Sequence, residues 1–478
     1  MEFKRLCNMI MADFIKEWDE GRQDIITALN MQKKAIIGYE REVSYFKDRI
    51  RESIKKYRAS GCAFPSYYAT LPDAVYHENW GLAGIAEWFS ECHRGSSSAK
   101  IIGSRIYFLE DGRMKLKEQS IEKARREQLI RAFLLLTPEE RLDKDFHELY
   151  MLDGTRVTIF GGSMAKRDQD MIIFRRYTVP EYTFEEQASR GTIPSDAADF
   201  FRAMVSVGFN VAFTGAVRTA KTTFLSTWQS YEDQELEGVM VETDPEIPLH
   251  ELMVKAPIMQ IIADNEKLKN ISKNLLRSDA DYFIMAEARD GIALDTVVKL
   301  ASKGTRRMKI TFHSRDPREF CSDVAAEIVK SFGGSIDSTA SKVAKSFDYI
   351  FHFIQLPDKS KKRLSGIYEL GYDYETNKIS IVQICRYDRT EGRWHWTHHI
   401  GADKRVIGES ENPEAFTIFD SRLLRLAEPP CDEKKARLTV KWTGPCADAR
   451  EEAGMYCHNE DLGTISEGSG GQYGINRQ

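Results

Sequence analysis

The sequence predicts an α/β protein: a mostly parallel sheet covered by helices, with a smaller α+β domain before it and a helical extension in front. Three observations carry this. Between about residues 192 and 355, apolar runs alternate with helical stretches: "NVAFTG", "GVMVET", "IMQII", "DYFIMAEA", "MKITFH" and "DYIFHFI". Between about 70 and 185, strand and turn signals mix with one helical tract. From about 3 to 58, apolar residues recur at helical spacing. The expected divisions are 1–68, 69–186, 187–405 and 406–478.

Taken in order, "YEREVSYFKDRIRESIKKYRAS" places Val43, Phe46, Ile50 and Ile54 on one stripe of a locally basic helix. "GCAFPSYY" interrupts the pattern near residues 60–68. "KIIGSRIYFLEDGRMKL" reads as two strands around an Asp-Gly turn. "SIEKARREQLIRAFLLL" reads as a helix capped by Ser120, with Glu122 in its first turn. "TRVTIFGG" and "DMIIFRRYTV" add strands. After the alternating segment, "SGIYELGYDYETNKISIVQICRYD" and "GRWHWTHHI" read as antiparallel hairpins at a sheet edge, and the polar chain after about residue 430 as a mobile tail.

With 478 residues, 29% charged and 42% hydrophobic, the composition is that of a soluble multidomain protein. A net charge of -5 argues against a generally nucleic-acid-binding surface. No apolar run reaches the ~18 residues of a membrane span, and the charged N-terminus does not read as a signal peptide. Eight cysteines without a CxxC pair suit a reducing, cytoplasmic compartment. Cys431, Cys446, Cys457 and His458 are too widely spaced for a zinc site; free thiols are expected there. In "RWHWTHHI", Trp394 and Trp396 would share one strand face and His395 and His399 the other, as in a plain hairpin.

The chemistry concentrates in the alternating segment. "TGAVRTAKTTF" fits a phosphate-binding loop, with Gly215, Lys221 and Thr222 in place and Ala220 at the second glycine. The apolar "NVAF" leads into it and "KTTFLSTW" starts a helix, whose N-terminal amides favour a phosphate. In "DYFIMAEARDG", Glu287 follows a buried strand, where an NTPase places its Walker B carboxylate. "VMVETDPEIPL" ends another strand in Glu242, Asp244 and Glu246, the last two expected on a solvated loop, and "MKITFHSRDP" ends one in His313.

In this order the four segments resemble the secretion ATPase superfamily, the hexameric motors of type II and type IV secretion and of type IV pili. The resemblance runs over about residues 70–390 and is strongest to the CpaF-like ATPases of tight-adherence (Flp) pilus assembly. "HENWGLAGIAEWF", "LDGTRVTIFGG", "MIIFRRYTVPEYTFEE" and "DYIFHFIQLPDKSKKRLSGIYELGYD" support that branch. It implies a RecA-like P-loop ATPase core hinged to an α+β N-terminal domain, with ATP and Mg²⁺ as cofactors. Gly215, Arg218, Thr219, Ala220, Lys221, Thr222 and Thr223 would form the nucleotide loop, with Thr222 also on Mg²⁺. Glu287 would orient the attacking water beside Arg289, Glu242 would be the base and His313 the γ-phosphate sensor. Arg156, Arg175 and Arg176 would be presented to nucleotide by the N-terminal domain. The implied partners are five further copies of the chain and inner-membrane platform proteins of a pilus or secretion system. Nucleic acid and zinc are not expected. The chain would work in the cytoplasm, at the inner face of the bacterial cytoplasmic membrane.

Five glycine or acidic positions of the family pattern are altered: Arg218 and Ala220 in the loop, Ala286 before Glu287, Arg307 after Gly304, and Thr243 in place of an aspartate. Glycine serves such loops by allowing positive φ, so Arg218 carries a cost of about 1–3 kcal/mol if its backbone is strained. The expectation is an active ATPase slowed by its altered loop, ahead of a non-hydrolysing ring or regulatory subunit of the same fold.

Overall fold

The computed structural model describes residues 1–19, 25–134, 146–176 and 182–428. The tail cysteines, His458 and residues 177–181 of the "FRRYTVPEY" stretch lie outside them.

Four helices come first: α1 (Phe3–Asp19), α2 (Ile25–Ile36), α3 (Glu40–Lys56) and α4 (Leu71–Asn79). Phe46, Ile50 and Ile54 of the predicted stripe are buried, and Val43 packs at their margin. They meet Phe14 of α1 and Trp80 just after α4, with Phe14 and Trp80 ring centroids 4.5 Å apart. This apolar cluster includes Leu71, Val75 and Tyr76, so it extends past residue 68.

A six-stranded antiparallel sheet follows, in the order β3-β2-β1-β6-β5-β4. Its members are β1 (Ser98–Ile102), β2 (Arg105–Glu110), β3 (Arg113–Ser120), β4 (Phe146–Tyr150), β5 (Arg156–Phe160) and β6 (Met171–Arg175). "KIIGSRIYFLEDGRMKL" thus yields three strands, not two, because Gly103 (φ 59°) adds a second tight turn ahead of Asp111-Gly112. Both Asp111 (φ 51°) and Gly112 (φ 73°) lie in the left-handed region, as a two-residue hairpin turn of this kind requires. Ser120 does not cap a helix: it ends β3, paired with Arg105, and α5 begins at Lys123 and runs to Leu134.

The second sheet has nine strands, ordered β15-β14-β13-β12-β7-β11-β10-β8-β9. After α6 (Phe184–Ser189) and α7 (Ala198–Val207), β7 (Val211–Gly215) leads into α8 (Lys221–Ser230). Next come β8 (Gly238–Glu242), α9 (Leu249–Leu252), β9 (Ile258–Ile262), α10 (Asn265–Leu275), β10 (Tyr282–Ala288) and α11 (Gly291–Ser302). β11 (Arg306–Phe312), α12 (Phe320–Phe332), α13 (Ile336–Ser346) and β12 (Tyr349–Gln355) complete the parallel part. β13 (Lys362–Asp373), β14 (Lys378–Asp388) and β15 (Arg393–Trp396) extend one edge antiparallel, as the hairpin pattern predicts.

β7 sits between β12 and β11 and is buried along its whole length, which is why "VAFTG" is apolar without alternation. Phe213 of β7, Phe224 and Trp228 of α8 and Phe351 of β12 pack together in edge-to-face and tilted pairs, with centroid separations of 5.2–6.2 Å. Two unpredicted helices, α14 (Ala402–Glu411) and α15 (Pro413–Leu426), pack onto this core through Phe416, Phe419 and Leu423. Residues 406–426, the first part of the expected C-terminal segment, therefore pack on the core. Among the described residues no helix is long and apolar enough to cross a membrane.

Candidate functional site

The loop after β7 is built around Gly215. Its φ is 138°, and a Cβ there would collide with the carbonyl oxygen of Phe353 on the adjacent strand and sit 2.9 Å from Thr219 Oγ1. Thr219, itself buried, donates to Ala216 O at 2.9 Å and closes the turn. Arg218 (φ 64°) and Ala220 (φ 74°) both occupy the left-handed region, so the two replaced glycines fall where a side chain is strained. Ala220 is the residue before α8, and no side chain caps that helix, leaving its first amides, with Thr222 and Thr223, at the cleft. Lys221 Nζ lies across the loop, donating to Gly215 O at 3.0 Å and Ala216 O at 2.8 Å. Burial lowers its pKa to about 8 against the opposing pull of Glu287 and Glu246.

The ends of β10 and β11 deliver the next two groups. Glu287 takes φ 64° itself, while the preceding Ala286 is a buried strand residue. Its amide donates to Thr311 Oγ1 at 2.8 Å, a side-chain bond that holds the bend without a glycine at 286. Glu287 is ion-paired with Arg289, and Oε1 is 3.5 Å from His313 Nε2. His313 Nδ1 is 3.3 Å from Lys221 Nζ, so the lysine, histidine, glutamate and arginine form one chain. Burial pushes the Glu287 carboxyl up, but His313 and Arg289 outweigh it and hold the pKa below its ordinary value.

Glu242 departs from its expected place. It does not line the cleft: Oε1 accepts from Glu246 N at 3.1 Å and Ile247 N at 3.0 Å, so the carboxyl shapes the turn beyond β8. Burial raises its pKa to about 8. That turn points Asp244 and Glu246 into the cleft instead of into solvent. Asp244 is ion-paired with Arg156 and accepts from the Tyr150 hydroxyl at 3.0 Å, tying the second sheet to the first. Glu246 is raised to about 7, chiefly by burial and then by Glu287 and Asp244.

The opposite wall belongs to the first sheet. Ser98, Arg175 and Arg156 stand side by side on β1, β6 and β5. Arg175 lines the cleft without an ion pair among the described residues. Arg176, also expected at nucleotide, reaches the cleft margin, but its guanidinium is spent on carbonyls: Ser96 O at 3.0 Å, Trp88 O at 2.8 Å and His93 O. It also stacks 4.0 Å over the Trp88 ring. Arg307 is similarly occupied far from the loop, with Glu232, Val205 O and Ser206 O as acceptors.

Together these walls enclose about 650 Å³, in the size range of small-molecule sites. Seven cations line it: Arg156, Arg175, Arg176, Arg218, Lys221, Arg289 and Lys362. Carboxylate oxygens of Asp244, Glu246 and Glu287 lie within 4.8 Å of one another, close to Thr222. Such a donor set fits a polyphosphate with a hard divalent cation. Sequence reading names Asp244 and Glu246 as possible metal or proton groups but favours a solvated loop for both, and it misses Tyr150 and Ser98 as cleft residues. For the two acids the signal was present, in "VETDPEIPL", but a strand-end carboxylate and a loop carboxylate look alike until the turn is seen.

No family model and no curated protein matches the chain. Solved structures do resemble it at low identity. The pilus retraction motor PilT with bound ADP aligns over 72% of this chain and 93% of its own, at 12% identity and a TM-score of 0.42. The ATPase DotB of Yersinia pseudotuberculosis aligns over 72% and 84%, at 15% and 0.44. The VirB11 ATPase of the Brucella suis type IV secretion system aligns over 60% and 92%, at 12% and 0.33. At these scores the likeness carries no weight for activity or assembly.

Proposed function

We propose that this chain binds ATP with Mg²⁺ and hydrolyses it, working as a homo-hexameric ring motor for pilus extrusion or protein export at the inner face of the cytoplasmic membrane. The observation that carries the catalytic part is the chain Lys221–His313–Glu287–Arg289 beside the loop before α8, facing Arg156 and Arg175 across one cleft. The ring, the membrane platform and the cargo rest on the sequence resemblance.

Each residue has a task that its surroundings permit. The open amides at the start of α8 and Lys221 bind phosphate oxygens. Thr222 and the carboxylates of Asp244, Glu246 and Glu287 would hold Mg²⁺, which neutralises phosphate charge when bound. Glu287 is ionised at neutral pH and positions water. Glu246 lines the cleft and Glu242 does not, so Glu246 is the better placed of the two to accept a proton where the metal rests on Asp244 and Glu287 alone. Arg156 and Arg175 supply fixed positive charge where negative charge develops. Arg156 must exchange Asp244 for that role, so the resting molecule holds it back.

The test is Mg²⁺-dependent ATP binding and turnover by the full chain. Lys221→Ala should lose binding, and Glu287→Gln should bind but not turn over. The strained loop favours one second reading, a non-hydrolysing subunit of the same ring. Binding without turnover, or no binding at all, in the wild type would select it over the hydrolysing motor.

A further inference from the structure

Three arginines among the described residues occupy left-handed backbone: Arg58 (φ 51°) just past the end of α3, Arg307 and Arg218. Arg307 (φ 54°) is fully engaged by Glu232 and two carbonyls. Arg218 (φ 64°) is exposed and has no hydrogen bond or ion pair among the described residues. Arg58 is exposed in the same way, so strain alone indicates nothing; what sets Arg218 apart is that it lines the cleft.

The groups around Arg218 indicate the chemistry of that partner. The ionisable groups that register its charge are Lys100, Arg175 and Lys362, all cations. Lys100 and Arg175 also have no ion pair among the described residues, and for both, burial and then like-charge neighbours lower the pKa, with Glu246 opposing this at Arg175. Lys362 is turned onto the carbonyls of Lys359 and Ser360. In register with Arg175, on β1, stands Ser98, 3% exposed, whose Oγ has no hydrogen-bond partner although it lines the cleft. A buried hydroxyl without a partner, beside three cations that have no ion pair among the described residues, is costly as it stands and is completed by a multiply charged oxyanion. Lys221 does not serve this side: its contacts are the loop carbonyls and His313.

We propose that Arg218, together with Arg175 and the Ser98 hydroxyl, forms a subsite for the terminal phosphate of a nucleoside triphosphate, so that the arginine in the glycine position makes the cleft discriminate triphosphate from diphosphate. This rests on the nucleotide reading of the cleft. Arg218 is then a specificity-determining residue supplied by the phosphate loop itself, distinct from the lysine that binds either nucleotide. Lys100 stands behind it and adds long-range attraction for the extra charge.

The test is equilibrium binding of MgATP and MgADP to the full chain and its variants. Arg218→Gln keeps the strained backbone and removes the charge; it should weaken MgATP roughly 10- to 100-fold, the range of one charge-assisted contact, and MgADP by less than about 3-fold. Arg218→Lys should retain most of the preference, and Ser98→Ala should lower MgATP affinity a few-fold with MgADP unchanged. Arg218→Gly should raise the unfolding midpoint without nucleotide while losing the preference, which separates the charge from any folding defect. Equal effects of Arg218→Gln on both nucleotides, with binding still dependent on Lys221, would overturn this inference alone. Wild-type binding of neither nucleotide, or binding indifferent to Lys221→Ala, would overturn the nucleotide reading and this subsite with it.

Discussion

Replacing Gly215 by alanine should destabilise the chain severalfold more than the same change at Gly304, although both glycines have positive φ, 138° and 100°. At Gly304 a new Cβ meets nothing within 4 Å, so the cost is the backbone alone. A side chain in that region costs about 1–2 kcal/mol, and the stiffer unfolded chain returns about 0.4–1 kcal/mol. The net loss at 304 is then on the order of 1 kcal/mol. At Gly215 the same backbone cost applies, but the new methyl also collides with Phe353 O, a main-chain atom of the strand in register with it. Backbone in a parallel ladder cannot rotate aside as a flexible side chain can, so β7 and β12 must separate. Overpacking of this kind adds about 1–3 kcal/mol, bringing the total to roughly 2–4 kcal/mol. Urea unfolding of nucleotide-free protein, followed by far-UV circular dichroism, reads both variants on one scale. Equal shifts in midpoint, or a larger one for Gly304→Ala, would refute the claim that the loop is pinned by Phe353.

Arg307→Gly, which restores the residue expected by resemblance, should destabilise. It relieves about 1 kcal/mol of backbone strain but removes one of two cations from Glu232, which is buried and keeps only Lys309 Nζ at 2.5 Å. A net loss of about 1–3 kcal/mol in the same assay is expected; a gain would mark the arginine as a lesion. Glu242→Gln should change pH dependence rather than turnover. With the folded pKa raised to about 8, the unfolded chain releases this proton first, so stability falls as pH rises from the ordinary glutamate range to about 8. Glutamine keeps an acceptor for the amides of Glu246 and Ile247 and should flatten that slope, matching wild type near pH 5 and exceeding it near pH 8. Loss of ATP turnover with unchanged nucleotide affinity would return Glu242 to the role of base.

Five of the six parallel strands were legible because a strand buried on both faces has to be apolar nearly throughout; β9, at the sheet edge and half-exposed, was legible from its apolar run alone. What was not legible depended on contacts between distant segments. α15 is amphipathic, yet nothing local distinguishes a helix packed on Phe200 and Phe209 from a solvated one. Ser120 carries good capping chemistry, and pairing with Arg105 overrode it. The same limit separates the two displaced arginines. At positions 218 and 307 the sequence shows the same event, an arginine where a turn favours glycine, and local rules price both alike. The fold gives Arg307 a buried carboxylate and leaves Arg218 among Lys100, Arg175 and Lys362. One substitution is therefore absorbed by the protein's own packing, and the other keeps a positive charge available at the cleft. Glycine loss in a phosphate loop is thus no measure of decay by itself: its meaning lies in where the new side chain's charge is answered.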